Sequence, residues 1–162
     1  MIAGLTEPQD ERSEYDPPAR LRELPSWQAS EIARRARRLV DGALGQEGAR
    51  RQHFTVLTSL AEQGPASQAA LGRRLWIDRS NLHAILNELE RDGLIDRVRD
   101  EHDRRRNVVA LTRRGTAALK RLDKRVDGAQ TVLLQPLSAA ERRELRRLLR
   151  RLLDGASRHD AV

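Results

Sequence analysis

The chain has 162 residues, 38% hydrophobic and 34% charged, with a formal net charge of +7 and a pI near 11.1. That size suits one domain with a modest core, and so basic a surface points to a polyanionic partner, nucleic acid or an anionic membrane. Aromatic residues at 2% leave too few platforms for single strands bound by stacking, and a chain without cysteine has no disulfide, thiolate metal site or cysteine redox switch.

Residues 1–18 are polar, lean acidic and end in two prolines, the composition of a flexible arm. They lack the basic-then-apolar order of a signal peptide. No apolar run approaches the roughly 18–20 residues of a membrane span, so a cytoplasmic protein without a membrane partner is expected. Residues 19–162 are expected to form a single domain. From Ala19 the pattern turns helical, with a start or kink at Pro25-Ser26 near Trp27. Ile32, Ala36, Leu39, Val40 and Ala43 form a stripe among Arg34, Arg35, Arg37 and Arg38, and Gly45 and Gly48 close the helix. An arginine cluster of this kind is ordinarily a solvated face, though it could also meet phosphate or a partner subunit.

Arg50 to Gln63 reads as the next helix, with Phe54, Leu57, Leu60 and Ala61 inward, and Gly64-Pro65 stops it. A short helix follows, capped by Ser67 and turning Leu71 and Leu75 to the core. Trp76-Ile77-Asp78 then leads tightly into the stretch from Ile77 to Gly93, IDRSNLHAILNELERDG. There Leu82, Ile85, Leu86 and Leu89 recur at helical spacing and make a core stripe. Arg79, Ser80, His83, Ala84 and Asn87 lie opposite. Asp78 is the N-cap, Ile77 and Leu82 fit a hydrophobic staple, and Gly93 is the left-handed stop. Two helices joined by so short a turn make a helix-turn-helix. The outward face is short and polar, which suits entry into a DNA major groove. A plain solvated helix face has the same pattern, and only the neighbouring elements separate the two readings.

After Gly93 the period changes. Leu94 to Arg99 and Asn107 to Leu111 read as two strands around a long charged tip, Asp100 to Arg106. A hairpin placed there for packing alone would more often turn through Asn-Gly; this one reads as a wing. Thr112 caps a further helix in which Leu119, Leu122, Val126, Ala129 and Leu133 alternate three and four apart, as in a coiled-coil seam. Pro136 ends it, and Ser138 with Glu141 makes a capping box for the last helix. There Leu145, Leu148, Leu149, Leu152 and Leu153 form a stripe among arginines. Such stripes call for a second copy of the chain, since a monomer would leave them exposed. Packing of the two helices within one chain is the alternative.

Histidines 53, 83, 102 and 159 fit no metal-ligand spacing. His102 with Asp100, Glu101 and Asp103 could hold a metal weakly, but such a loop is ordinarily just solvated. Without a phosphate-cradling glycine loop or a nucleophile elbow, no catalytic residue, metal or cofactor is expected.

The run from Ser67 to Gly115 resembles the MarR family of winged-helix transcription regulators. The resemblance rests on Asp103-Arg104-Arg105 in the wing and on Leu111-Thr112-Arg113-Arg114-Gly115 at the strand-to-helix junction. It extends in helix order over about residues 20–155. It implies a mainly α fold with a small β-hairpin wing. The winged helix-turn-helix would span about 50–115, and dimerisation helices about 19–46 and 113–155. It also implies a homodimer that binds pseudo-palindromic double-stranded DNA with one recognition helix per major groove. By position, Arg79, Ser80, Asn81, His83 and Asn87 become candidates for base or phosphate contact. The amides of Asn81 and Asn87 suit adenine, and His83 suits guanine or phosphate. Ser67 and Gln68 would offer helix-terminal amides to a phosphate. Asp103 would pair with Arg105 to hold the wing, and Arg104 or Arg106 would reach the minor groove.

Many relatives carry arginine where this chain has Ala84, which puts one groove contact in doubt. The resemblance further implies release from DNA by a small phenolic or aromatic ligand. Trp27, His53 and Phe54 are candidates to line its cleft, although plain core packing is the commoner use of such residues. Leu119, Leu122, Val126, Leu133, Leu145, Leu148, Leu149 and Leu152 are the expected dimer contacts. The resulting expectation is a homodimeric repressor, with a non-specific architectural DNA binder as the alternative.

Overall fold

The computed structural model describes residues 16–99 and 107–159. The expected arm up to residue 15 and the wing tip, with Asp103, Arg104, Arg105 and Arg106, lie outside the described residues. The elements run α1 (Ala19–Arg22), α2 (Pro25–Gly45), α3 (Arg51–Gln63), α4 (Gln68–Leu75), α5 (Arg79–Arg91), β1 (Ile95–Arg99), β2 (Asn107–Leu111), α6 (Arg113–Leu133) and α7 (Ala139–His159). None of the described helices is long and apolar enough to cross a membrane.

The chain divides after Arg35 into two compact units. In the first, the Arg22 Nη1 pairs with Asp16 at 2.8 Å, and the Gln28 amide donates to the Arg22 carbonyl at 2.8 Å across the α1–α2 corner. Trp27 is half-buried. Ile32, expected on an inward stripe, is 55% exposed, so this part of α2 has an apolar side chain that its own chain does not cover.

The second unit holds the core. Leu44, Val56, Leu57, Leu71, Leu82, Ile85, Leu86, Leu89 and Ile95 are all but inaccessible. Helices α3, α5 and α6 each contribute one stripe, as their spacing dictates. Within α3 the inward residues are Val56, Leu57 and Leu60; Ala61, expected inward, is exposed. The helix phase explains this. Once Val56 and Leu60 set the stripe, Ala61 lies beyond its edge.

The hairpin pairs Ile95 with Leu111 through Arg99 with Asn107, antiparallel. It has a third partner that alternation in the sequence did not reveal. Ala66, between α3 and α4, exchanges both backbone hydrogen bonds with Val109, at 3.1 and 2.8 Å. Strand β2 is therefore flanked on both sides, which fixes the wing's root to the helix-turn-helix.

At the other end of α5, Gly93 (φ +67°) closes the helix in a Schellman motif: its N–H donates to the Glu90 carbonyl and that of Leu94 to the Leu89 carbonyl, both at 2.9 Å. Thr112 then locks that end to α6. Its hydroxyl donates to the Gly93 carbonyl at 2.8 Å and accepts from the Gly115 N–H at 2.8 Å.

Leu119 and Leu122, expected on a dimer seam, belong to this chain's own core at 7% and 3% exposure. They face α3, so they cannot also supply surface to a second copy. Further along α6, Val126 and Leu133 are half-buried and Val132 is exposed. Glu47 draws Arg121 and Arg125 of α6 onto the end of α2, at 3.3 and 3.0 Å. Helix α7 opens on the expected capping box, with Ser138 N–H and Oγ both donating to Glu141. Among its described residues none is buried. Leu145 is half-buried, and Leu148, Leu149, Leu152 and Leu153 are 42–71% exposed.

Candidate nucleic-acid interface

Helix α5 has one buried and one open face. Leu82, Ile85, Leu86 and Leu89 anchor it in the core, and Arg79, Ser80, Asn81, His83, Ala84 and Asn87 are exposed. Its start is rigidly set. Asp78 accepts from the Asn81 N–H at 2.8 Å and from the Ser80 hydroxyl at 2.6 Å. The Ser80 bond foremost, and then the Asn81 amide, hold the Asp78 carboxyl below the usual aspartate range. The Ser80 hydroxyl proton is thus committed to its own helix cap.

Helix α4 is capped by Ser67, whose oxygen accepts from the Ala70 N–H at 3.2 Å. Gln68 reaches across the turn and donates to the Arg79 carbonyl at 3.4 Å. An open depression of about 670 Å³ over the start of α5 is lined by Gln68, Asp78, Arg79, Ser80 and His83. Four residues expected at the interface therefore meet in one concavity, with Asp78 also in its lining. Trp76 ends α4 in the left-handed region (φ 53°) and is 95% exposed.

Further along the open face, His83, Asn87 and Arg97 form a chain. The Asn87 amide nitrogen lies 3.1 Å from His83 Nε2, and Arg97 Nη2 donates to the Asn87 amide oxygen at 2.7 Å. Arg97 also pairs with Glu90 at 3.2 Å. Arg97 was not among the expected residues, yet a signal for it existed. Strand alternation puts it on the same face as Ile95, the face of β1 that lies beside α5, although Arg97 itself stays exposed.

On the inner side, Glu88 of α5 accepts from Arg50 and from His53, the latter at 2.9 Å. Arg50 foremost, then His53, keep the Glu88 carboxyl below the usual glutamate range. His53, expected to line a ligand cleft, is buried and joined to α5 through Glu88. Phe54 lines an open groove of about 310 Å³ with Thr58, Arg74 and Leu75, and His53 is absent from its lining. Trp27 belongs to the N-terminal unit.

Comparison with known proteins agrees with this geometry. The model of the MarR family matches residues 48–106. The HTH-type transcriptional repressor NicR of Pseudomonas putida is 31% identical over 101 residues, 62% of this chain and 64% of that protein. The chain thus spans less than two thirds of that relative's length. The PcaV transcriptional regulator of Streptomyces coelicolor, solved in complex with its natural ligand, is 31% identical with a TM-score of 0.66, covering 84% of this chain and 96% of that one. A MarR family protein of Mycobacterium tuberculosis, solved in complex with DNA, is 26% identical with a TM-score of 0.71, covering 80% of this chain and 97% of that one. On the winged helix-turn-helix just described and on these matches, the chain belongs to the MarR family of transcriptional regulators.

Proposed function

We propose that this protein is a sequence-specific binder of double-stranded DNA that acts as a homodimeric repressor at a pseudo-palindromic operator. The observation that carries the reading is α5: its core stripe is fully buried, and its short polar face stays open beside the wing. An exposed helix of this kind fits a major groove, and two copies would address half-sites about one helical turn apart. The leucines of α7 and the net charge of +7 support the same reading, the first by offering an uncovered face to a second copy and the second by suiting a polyphosphate. In the wing, Asp103 would pair with Arg105, and Arg104 or Arg106 would add a minor-groove contact. NicR, a repressor, and PcaV, solved with its natural ligand, support repression and ligand binding, respectively; here release by a small aromatic ligand is part of the proposal.

Fluorescence anisotropy tests it, with labelled duplexes from the region upstream of the protein's own gene against scrambled duplexes over a salt series. A preference of roughly a thousandfold at physiological salt is expected. Equal, steeply salt-dependent binding to both would replace it with an architectural role.

A further inference from the structure

The three-residue chain on the open face of α5 determines which groups remain free to read a base. The Arg97 guanidinium carries N–H donors and no acceptor. The atom of Asn87 that faces it must therefore be the amide oxygen, as the 2.7 Å contact requires. That choice turns the Asn87 NH₂ toward His83 Nε2, 3.1 Å away. A donor facing Nε2 requires Nε2 to be the acceptor nitrogen, which leaves the ring proton on Nδ1. Glu90 holds the other arm of the guanidinium at 3.2 Å, so Arg97 is itself oriented. Among the described residues, no group takes up His83 Nδ1, and the side chain is exposed. The Asn87 amide, by contrast, already commits one N–H to His83 and one oxygen lone pair to Arg97, so a paired contact with adenine would have only the remaining N–H and lone pair to use.

We infer that Arg97 is a positioning residue that, through Asn87, fixes His83 as a hydrogen-bond donor at Nδ1, so that His83 reads an acceptor on a major-groove base edge. The acceptors there are N7 and O6 of guanine, N7 of adenine and O4 of thymine; cytosine presents a donor and is rejected. This inference rests on the proposed DNA-binding function but has a part that needs no DNA.

That part is tested by the long-range ¹H–¹⁵N spectrum of the free, ¹⁵N-labelled full chain at roughly pH 8.5, well above the model-peptide histidine range. Signals of His83 are assigned by their loss in His83→Gln. The expected pattern has the proton on Nδ1 in the wild type, a mixture in Arg97→Ala, and a return toward the wild-type pattern in Arg97→Lys. A wild-type ring protonated at Nε2, or an Arg97→Ala spectrum unchanged from wild type, would overturn the inference.

The second part is selection from a library of duplexes with a randomised core, followed by binding titrations. His83→Ala and Arg97→Ala should both lose preference at the same base pair, by roughly 5- to 10-fold, with the salt dependence unchanged. Uniform weakening over all sequences with a shallower salt slope in Arg97→Ala would instead make Arg97 a phosphate contact and refute the positioning role. A wild-type chain that enriches no sequence would overturn both the DNA reading and the readout by His83. The wrong tautomer beside a normal sequence preference would overturn the present inference alone.

Discussion

Gly115→Ala should destabilise this protein far more than its size suggests. A Cβ built on Gly115 would lie 1.9 Å from the Leu94 carbonyl oxygen and 2.9 Å from its carbon. Carbon–oxygen contacts settle near 3.3 Å, so the first turn of α6 would have to withdraw by about 1.4 Å from the end of α5. The bonds that bridge the same gap would stretch with it: Thr112 N–H to the Leu94 carbonyl at 3.1 Å, and the Thr112 hydroxyl to the Gly93 carbonyl at 2.8 Å. Each contributes about 1 kcal/mol, and the overpacking adds about 1–3 kcal/mol. Alanine's better helix propensity returns about 1 kcal/mol. The net loss is about 3 kcal/mol, or roughly 6–12 °C in Tm for a chain of this length. Urea and thermal unfolding followed by circular dichroism at one fixed protein concentration would measure it. Gly128→Ala in the same helix is the control, because nothing lies within 4 Å of its Cβ position. It should gain up to about 1 kcal/mol. If the two variants behaved alike, the close approach of α6 to Leu94 would not be what makes glycine necessary at 115.

Glu88→Gln tests the inner anchor of α5. Because Arg50 and His53 depress the Glu88 carboxyl, its contribution is present above the ordinary glutamate pKa and is lost as pH falls through the folded value. The stability gap between wild type and variant should therefore be widest near neutrality and close below about pH 4.3 in pH-resolved urea melts; a gap that widens in acid would reverse the assignment. Trp76→Gly should stabilise by up to about 1 kcal/mol in the same melts, since a left-handed residue with a 95% exposed side chain has strain to lose and little packing. A loss of 1 kcal/mol or more would mean that the indole is held by contacts a single chain does not display. Leu148→Asp with Leu152→Asp should weaken self-association at least about 30-fold by sedimentation, and unchanged association would remove α7 from the proposed dimer.

The helical stripes were legible because their signal is local. Leu82, Ile85, Leu86 and Leu89 announce a buried face by spacing alone, and Asp78, Ser67, Thr112 and Ser138 announce their caps by chemistry. What the sequence hid is non-local. The Ala66–Val109 bridge joins residues with no shared pattern. Leu119 and Leu122 have coiled-coil spacing, and only their position against α3 shows that they serve this chain's own core. At the interface, the exposure of His83 and Asn87 could be read from helix phase. Their engagement with each other and with Arg97 could not, because it needs the crossing of β1 beside α5.

The Leu-Thr-x-x-Gly junction is where these two kinds of information meet. As sequence it is a family signature; as structure it is a constraint with three parts. Thr112 must be a hydroxyl residue because one side chain both caps α6, through Gly115 N–H, and holds the carbonyl at the end of α5. Gly115 must lack a Cβ because that carbonyl segment occupies its place. Leu111 must be apolar because it packs on the core while pairing with Ile95 at the wing's root. Helix α5, the strands at the wing's root and α6 are thereby fixed to one another within a few residues. If α7, which follows α6, forms the dimer as proposed, the distance between the two recognition helices is set through this junction, and with it the spacing of the half-sites the protein can read.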